Sequence, residues 1–361
     1  MDILRLVSVI LVVILVGSSI ALILVSADAS FATTVEPSTK PVFAYYYGWY
    51  TKGAWYGGID GSESLSVADV PSIGMYNSQN VSVIDTQISE AISAGIDGFI
   101  ASWWGPGSFT DNTDQILINQ AETKYNGFSI SLYFETEIIQ NMNSSFPVEQ
   151  TQFVKDVAYI MQGYTGNDAF ARINRDPVLF ISGVDDWPLQ FWTNVTSEIH
   201  QLYPSLLLIS DSLDIDYLSA FDGAASYVDL GYMTQSLTLQ NGTYPTFTQL
   251  SQLAKSEGKY WFATASPGFN GTNDGKTQFV NVPRDDGETF TIGWDIAQNS
   301  DPYGIIVGTW NEYYEGTSIE PAQSYGNFYL QLTSQLSEAW NSNGPHFRFA
   351  SRIYPLELDL Y

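Results

Sequence analysis

The sequence predicts an α/β fold, a single (β/α)8 TIM barrel, on three observations. Short apolar or aromatic runs alternate with amphipathic segments along most of the chain after Pro41. There are eight runs, each followed by a helix-like segment, the count that a closed parallel barrel requires. The first run is followed by "YYYGWY" (Tyr45–Tyr50) and not by G-x-G-x-x-G, which argues against an open dinucleotide-binding sheet.

Before the barrel, Leu6 to Val25 is nearly all apolar, with Arg5 just ahead of it. Its length suits a membrane-spanning anchor, while the small residues around Ala29 offer a cleavage site for a removed signal peptide. The expected organisation is a signal anchor or signal peptide over residues 1–30, a linker over 31–40 and the barrel over 41–345. Residues 346–361 are expected to form a tail packing on the barrel. Arg5 on the short side favours a large domain outside the cytoplasm, at the cell surface or extracellular, with membrane association if the segment is uncleaved. Sequons at Asn80, Asn143, Asn194, Asn241 and Asn270 agree with export.

The expected strands are Val42–Tyr47, Gly98–Ser102, Phe128–Phe134, Pro177–Ile181, Leu206–Ser210, Ser226–Tyr232, Tyr260–Ala265 and Ile305–Thr309, each bounded by turn residues. Between the first two, Val81, Ile84, Ile88 and Ile92 form one apolar helical stripe, stopped by Gly95. Further helices are expected over Asn112–Lys124, Pro147–Gln162, Trp187–Leu202, Asp214–Phe221, Thr246–Glu257, Thr289–Asn299 and Gly326–Trp340.

Composition excludes several chemistries. The 361 residues contain no cysteine and two histidines, so thiolate chemistry and a multi-histidine metal centre are disfavoured, and no cofactor or metal is expected. A net charge of −26 makes nucleic acid and anionic lipid poor partners.

Barrel enzymes place their chemistry at the C-terminal ends of the strands. Those ends collect Tyr46, Tyr47, Trp49 and Tyr50; Trp103 and Trp104; Tyr133, Glu135 and Glu137; Asp211; and Trp310, Asn311, Glu312 and Glu315. Two carboxyls can divide glycoside cleavage between acid and base, and flat rings can pack on sugar faces while polar groups read hydroxyls. Tyr313 and Tyr314 supply low-polarity surroundings that help keep one glutamate protonated. Trp103 and Trp104 are adjacent on a strand, so at most one faces the barrel axis. Long loops over Thr51–Asn80 and Ala265–Gly287 are candidate cleft walls, the second carrying Arg284 as a hydroxyl-binding residue or a partner for Asp285, Asp286 or Glu288.

The segment "NEYYEGTSIEPA" (Asn311–Ala322) resembles the N-E-W-H-E-G-T-x-I-E-P signature of glycoside hydrolase family 99, the endo-α-mannosidases and endo-α-mannanases. "AYYYGWY", the stretch from Ile73 to Gly105, "LYFE" and "VPRDDGETFTIGWDIA" are similar to further segments of that family in the same order. The resemblance implies a (β/α)8 barrel cleaving internal α-mannosidic bonds in an α-linked glycan. It implies retention of configuration, through a 1,2-anhydro sugar formed by the substrate's own 2-hydroxyl. By position, Glu312 would be the base toward that hydroxyl and Glu315 the acid and later the base toward water. Glu135, Tyr46, Tyr47, Trp49 and Trp103 match substrate-contacting positions, and Glu320, before Pro321, reads as structural. The family's Trp-His between the glutamates is Tyr313-Tyr314, and its third-strand His and Pro are Tyr133 and Thr136. The competing reading is a non-catalytic glycan-binding or cell-envelope protein on a glycosidase-like barrel.

Overall fold

The computed structural model describes residues 40–56, 67–229, 231, 233, 242–272 and 280–342. The apolar segment Leu6–Val25, most of the linker and the tail 346–361 lie outside these. Among the described residues no helix is long and apolar enough to cross a membrane.

Eight parallel strands close into a barrel: β1 (Val42–Tyr46), β2 (Gly98–Trp103), β3 (Ser129–Phe134), β4 (Asp176–Ile181), β5 (Leu207–Asp211), β6 (Gly223–Ala225), β7 (Tyr260–Ala265) and β8 (Gly304–Val307). Each pairs with the next in chain order, and β8 returns to β1 with Val42 opposite Ile305. The β3–β4 seam is short, Tyr133 opposite Phe180 and Phe134 opposite Ile181. Around the barrel lie α1 (Val81–Ser93), α2 (Phe109–Lys124), α3 (Phe146–Gly163), α4 (Leu189–Leu202), α5 (Pro245–Ser256), α6 (Glu288–Asn299) and α7 (Phe328–Ser342). A 3-10 segment, Ile215–Ala220, stands between β5 and β6 where a full helix would otherwise sit.

Local chemistry fixes several boundaries. Asn80 caps α1 by accepting from the Ser82 N–H at 3.0 Å, and Ser108 caps α2 by accepting from the Asp111 N–H at 3.0 Å. Pro147 and Pro245 sit in the first turns of α3 and α5, where a missing N–H costs nothing.

The sixth strand differs from expectation. It is Gly223–Ala225, short and made of small residues, and not the more strand-like Ser226–Tyr232. A Cβ on Gly223 would lie 2.5 Å from the Tyr260 carbonyl oxygen, so close backbone approach selects glycine there. Tyr227, expected within the strand, therefore stands beyond its C-terminal end.

Both faces of the strands are buried. Phe43, Tyr45, Tyr47, Ile100, Tyr133, Val178 and Phe180 belong to the cluster filling the barrel, while Val42, Tyr46, Phe99, Trp103, Leu132 and Phe134 belong to the layer under the helices. That alternation decides which rim residues face the barrel axis.

Candidate active site

β1, β3, β6 and the loop after β8 bring a ring of carboxyls and phenols to the C-terminal rim. Glu312 is 2% exposed, in the tight loop following β8. Its backbone N–H donates to Thr309 Oγ1 at 2.8 Å, and its Oε1 accepts from the Tyr314 N–H at 2.8 Å. Burial, then the neighbouring Glu315 charge, push its carboxyl well above the usual range, against the opposing backbone N–H groups of Tyr314 and Glu315. Glu315 is half-buried, and its Oε2 accepts from the Tyr227 hydroxyl at 2.7 Å. Its carbonyl accepts from the Asn270 N–H at 2.7 Å, which ties the loop after β7 to the glutamate loop.

Glu135 lies just past the end of β3. Its Oε1 accepts from Ser102 Oγ at 2.6 Å, and Ser102 Oγ in turn accepts from Trp104 Nε1 at 2.9 Å. Burial pushes Glu135 up to about 7, opposed by the Ser102 and Ser182 hydroxyls. Asp211 at the end of β5 is pushed up to about 6 by burial; it accepts from the Tyr133 hydroxyl and, at 2.7 Å, from the Tyr227 N–H. Tyr47 is buried within the fields of Glu135, Glu312 and Glu315, and its phenol is held well above its ordinary value by burial first and then by those charges. Its ring packs 4.4 Å from that of Trp49, and Trp49 lies 6.3 Å from Trp104 and 6.1 Å from Tyr314. Glu135, Glu312, Glu315, Tyr47 and Trp49 are thus together.

Several expected contact residues lie elsewhere. Tyr46 points outward beneath α1 and donates to Gln87 Oε1 at 2.9 Å. Trp103 also points outward, donating from Nε1 to Asp111 Oδ1 at 2.8 Å and packing on Phe134. Trp104, its neighbour, is the half-buried tryptophan beside Trp49. Trp310 is buried in the outer layer, 5.3 Å from Phe99. Asn311 is fully buried and clamps the Tyr47 backbone, accepting from its N–H at 2.7 Å and donating to its carbonyl at 2.9 Å. Arg284 braces the glutamate loop, donating from Nη2 to the carbonyls of Gly316 at 2.9 Å and Ser318 at 2.7 Å. Its guanidinium lies over Tyr325 and Tyr329, and the ion pair with Asp285, Asp286 or Glu288 is not among those of the described residues.

The tyrosines between the glutamates face opposite ways. Tyr314 reaches the Ala54 carbonyl and stacks 5.9 Å from Tyr50, forming cleft wall. Tyr313 turns inward and donates to Glu320 Oε2 at 2.9 Å. Glu320 also accepts from Tyr76 at 2.9 Å and from Gln87 at 2.7 Å, and burial pushes it up to about 7. Among the described residues no group of three or more His, Cys, Asp or Glu could hold a metal ion.

The sequence profile of glycosyl hydrolase family 99 matches residues 38–333. The glycoprotein endo-alpha-1,2-mannosidase of Mus musculus is 23% identical over 300 residues, covering 75% of this chain and 62% of the mouse protein. The Xenopus laevis protein of that name is 24% identical over 310 residues, covering 77% of this chain and 66% of its own length. The match to the Rattus norvegicus protein spans 56% of that relative. In three dimensions the chain is similar to the GH99 endo-alpha-mannosidase from Bacteroides thetaiotaomicron. The TM-score is 0.68 at 19% identity, covering 83% of this chain and 97% of the other, a likeness of fold. The profile match begins just ahead of β1 and runs into α7, taking in the whole barrel and the loop bearing both glutamates: the chain belongs to glycosyl hydrolase family 99.

Proposed function

We propose that this protein is a glycoside hydrolase cleaving internal α-mannosidic bonds, or closely related α-glycosidic bonds, with Glu312 and Glu315 as the working pair. The observation that carries the reading is the pair itself. Two carboxyls on one buried loop at the rim of a family 99 barrel are differently placed, Glu312 enclosed and Glu315 half-open beside Tyr227.

In the first step the 2-hydroxyl oxygen attacks C1 of its own sugar and the bond from C1 to the glycosidic oxygen breaks. The Glu312 carboxylate takes the hydroxyl proton, and the Glu315 carboxyl gives its proton to the departing oxygen. In the second step Glu315, now ionised, takes a proton from water as the water attacks C1. The bond from C1 to the sugar's O2 opens, and Glu312 returns its proton to that oxygen. Two inversions at C1 give retention, and neither glutamate forms a bond to the sugar. Burial suits Glu312 to this role, since a carboxylate in a dry site is a stronger base than one in water. Trp49, Trp104 and Tyr314 offer apolar faces for sugar rings beside the pair.

Export, as a surface-anchored or secreted enzyme, belongs to the same proposal and rests on the apolar segment Leu6–Val25 following Arg5.

The test is cleavage of α-mannan oligosaccharides by the purified chain, with Glu312→Gln and Glu315→Gln beside it. Each substitution is expected to lower kcat by about 10²–10⁴-fold, the range for a positioned acid or base. Wild-type activity retained in either variant, or no cleavage of any α-mannoside by the wild type, would sink the reading.

A further inference from the structure

A cavity of 180 Å³ opens beside the loop that carries the glutamates, outside the ring of carboxyls. Its walls come from the loops after β1 (Asp69), β7 (Phe269, Asn281 and Arg284) and β8 (Gly316 and Tyr325). All three loops leave the C-terminal ends of their strands, so the cavity shares the rim with Glu135, Glu312 and Glu315. It begins at Gly316, one residue past Glu315.

Its chemistry is specific. Arg284 spends Nη2 on the carbonyls of Gly316 and Ser318, while its Nη1 is buried with no hydrogen-bond acceptor among the described residues. A buried guanidinium N–H without an acceptor is costly, and a ligand oxygen would satisfy it. Asp69 stands in the same wall, held by the Val70 N–H at 2.8 Å and the Ser324 hydroxyl. The Arg284 and Asp69 charges act on the Tyr325 phenol in opposite senses. An anion entering here would meet the Asp69 carboxylate and a cation would meet Arg284, whereas a neutral polyol can accept from one and donate to the other. The Asn281 amide adds a group that both donates and accepts, and Phe269 and Val282 add apolar surface. The volume is below the roughly 300–1,000 Å³ of sites that bury drug-sized ligands, which fits one sugar ring and not a chain of them.

We infer that this cavity is a remote subsite that binds one neutral hexose unit of the glycan, away from the bond being cleaved. The inference rests on the glycosidase reading above. Its consequence is that the enzyme gains from longer substrates, because a sugar seated here ties the chain to the same loop that carries the acid. Binding energy from such a remote unit is realised in kcat/KM without any change in the reacting groups.

The test compares α-mannan oligosaccharides of increasing length on the wild type and on Asn281→Trp, which fills the cavity from an exposed position outside the acid/base machinery. The wild type is expected to gain about tenfold in kcat/KM between the shortest substrate cleaved and the longer oligosaccharides. Asn281→Trp should lose that gain while cleaving the shortest substrate at the wild-type rate and melting at the wild-type temperature. A wild type indifferent to length, or an Asn281→Trp protein with the full gain, overturns the subsite and leaves the function standing. If the wild type cleaves no α-mannoside, the function fails, and calorimetric titration with the longest oligosaccharide decides the cavity separately. Weaker binding by Asn281→Trp supports the subsite, and equal binding overturns it.

Discussion

The Tyr227 hydroxyl donates to Glu315 Oε2 at 2.7 Å, while the backbone N–H of the same residue donates to Asp211 Oδ1, also at 2.7 Å. Tyr227, two residues beyond the end of β6, thus fixes the proposed acid/base against a second, half-buried carboxyl. The phenol O–H holds the Glu315 carboxylate in one orientation after its proton has gone to the leaving group. Tyr227→Phe keeps the ring and the backbone bond and deletes only the hydroxyl, which also meets the Tyr47 phenol. A hydrogen bond to a charged group is worth about 1.5–3 kcal/mol, so kcat/KM is expected to fall by about 10- to 100-fold with the melting temperature unchanged. Steady-state kinetics on an α-mannan oligosaccharide, read beside a thermal melt, checks both halves. Full activity in the variant would show that Glu315 orients itself.

Glu135 supplies a pH prediction. Its carboxyl is pushed up to about 7 by burial and accepts from Ser102. It is mostly protonated at pH 5 and mostly ionised at pH 8, and its ionised form adds to the repulsion on Glu312. Glutamine mimics the neutral carboxyl at every pH. Glu135→Gln is therefore expected to stay within about threefold of wild type at pH 5 while losing the wild-type inflection in kcat/KM near pH 7. A pH–rate profile with that inflection unchanged would place the titration on another group.

The barrel was legible in the sequence because seven strands carry β-branched or aromatic residues between turn signals, and those readings fall within a residue or two of the structure. The sixth was misplaced for a physical reason: Gly223-Ala224-Ala225 has no strand signature, being selected by close approach to Tyr260. The glutamate loop was legible through its place after the last strand and not through the E-x-x-E spacing, which is common on solvated helix faces. Which rim residues face the axis was not. Parallel barrel strands bury both faces, so β1 and β2 show no apolar–polar alternation, and nothing in the sequence says that Tyr47 and Trp104 turn in while Tyr46 and Trp103 turn out. The Tyr227–Glu315 contact links residues 88 positions apart, and no local pattern encodes it.

Glu320 shows what a carboxylate does when it is built into the frame. Three donors converge on it: Gln87 from α1, Tyr76 from the loop after β1, and Tyr313 from between the proposed acid and base. Tyr76 in turn accepts from Asn311, the residue clamping Tyr47. Glu320→Leu leaves these donors buried without an acceptor, at about 1–3 kcal/mol each where they cannot relax. The melting temperature is expected to fall by roughly 5–10 °C, with kcat falling more than KM changes, since the peptide bearing Glu312 loses its brace. Glu320→Gln, which keeps the shape and one acceptor, should lose less on both counts. A Leu variant as stable and active as the wild type would remove Glu320 from this role.

Acid pH should stabilise the barrel. Burial pushes Asp97, Asp156, Asp211 and Asp295 up to about 6 and Glu135 and Glu320 up to about 7, and none of these is in the ion pairs of the described residues. Unfolded, the same groups titrate at about 3.9–4.3. The folded state therefore binds protons more tightly across that interval. Its advantage is complete below about pH 4 and is lost as pH rises through 6 to 7. Asp111 works in the opposite sense: burial raises it, but donors from Tyr164, Trp103, Tyr159 and Gly107 bring it below its ordinary value. One group does not reverse six. The net charge of −26 at pH 7 adds self-repulsion that also eases as carboxylates protonate. Scanning calorimetry at fixed ionic strength should place the melting temperature at pH 5 several degrees above that at pH 8. Adding salt should narrow the gap by screening the surface charges, without closing it, because the buried carboxyls are screened far less. A melting temperature equal or higher at pH 8 would mean that these carboxyls are paired or hydrated in solution.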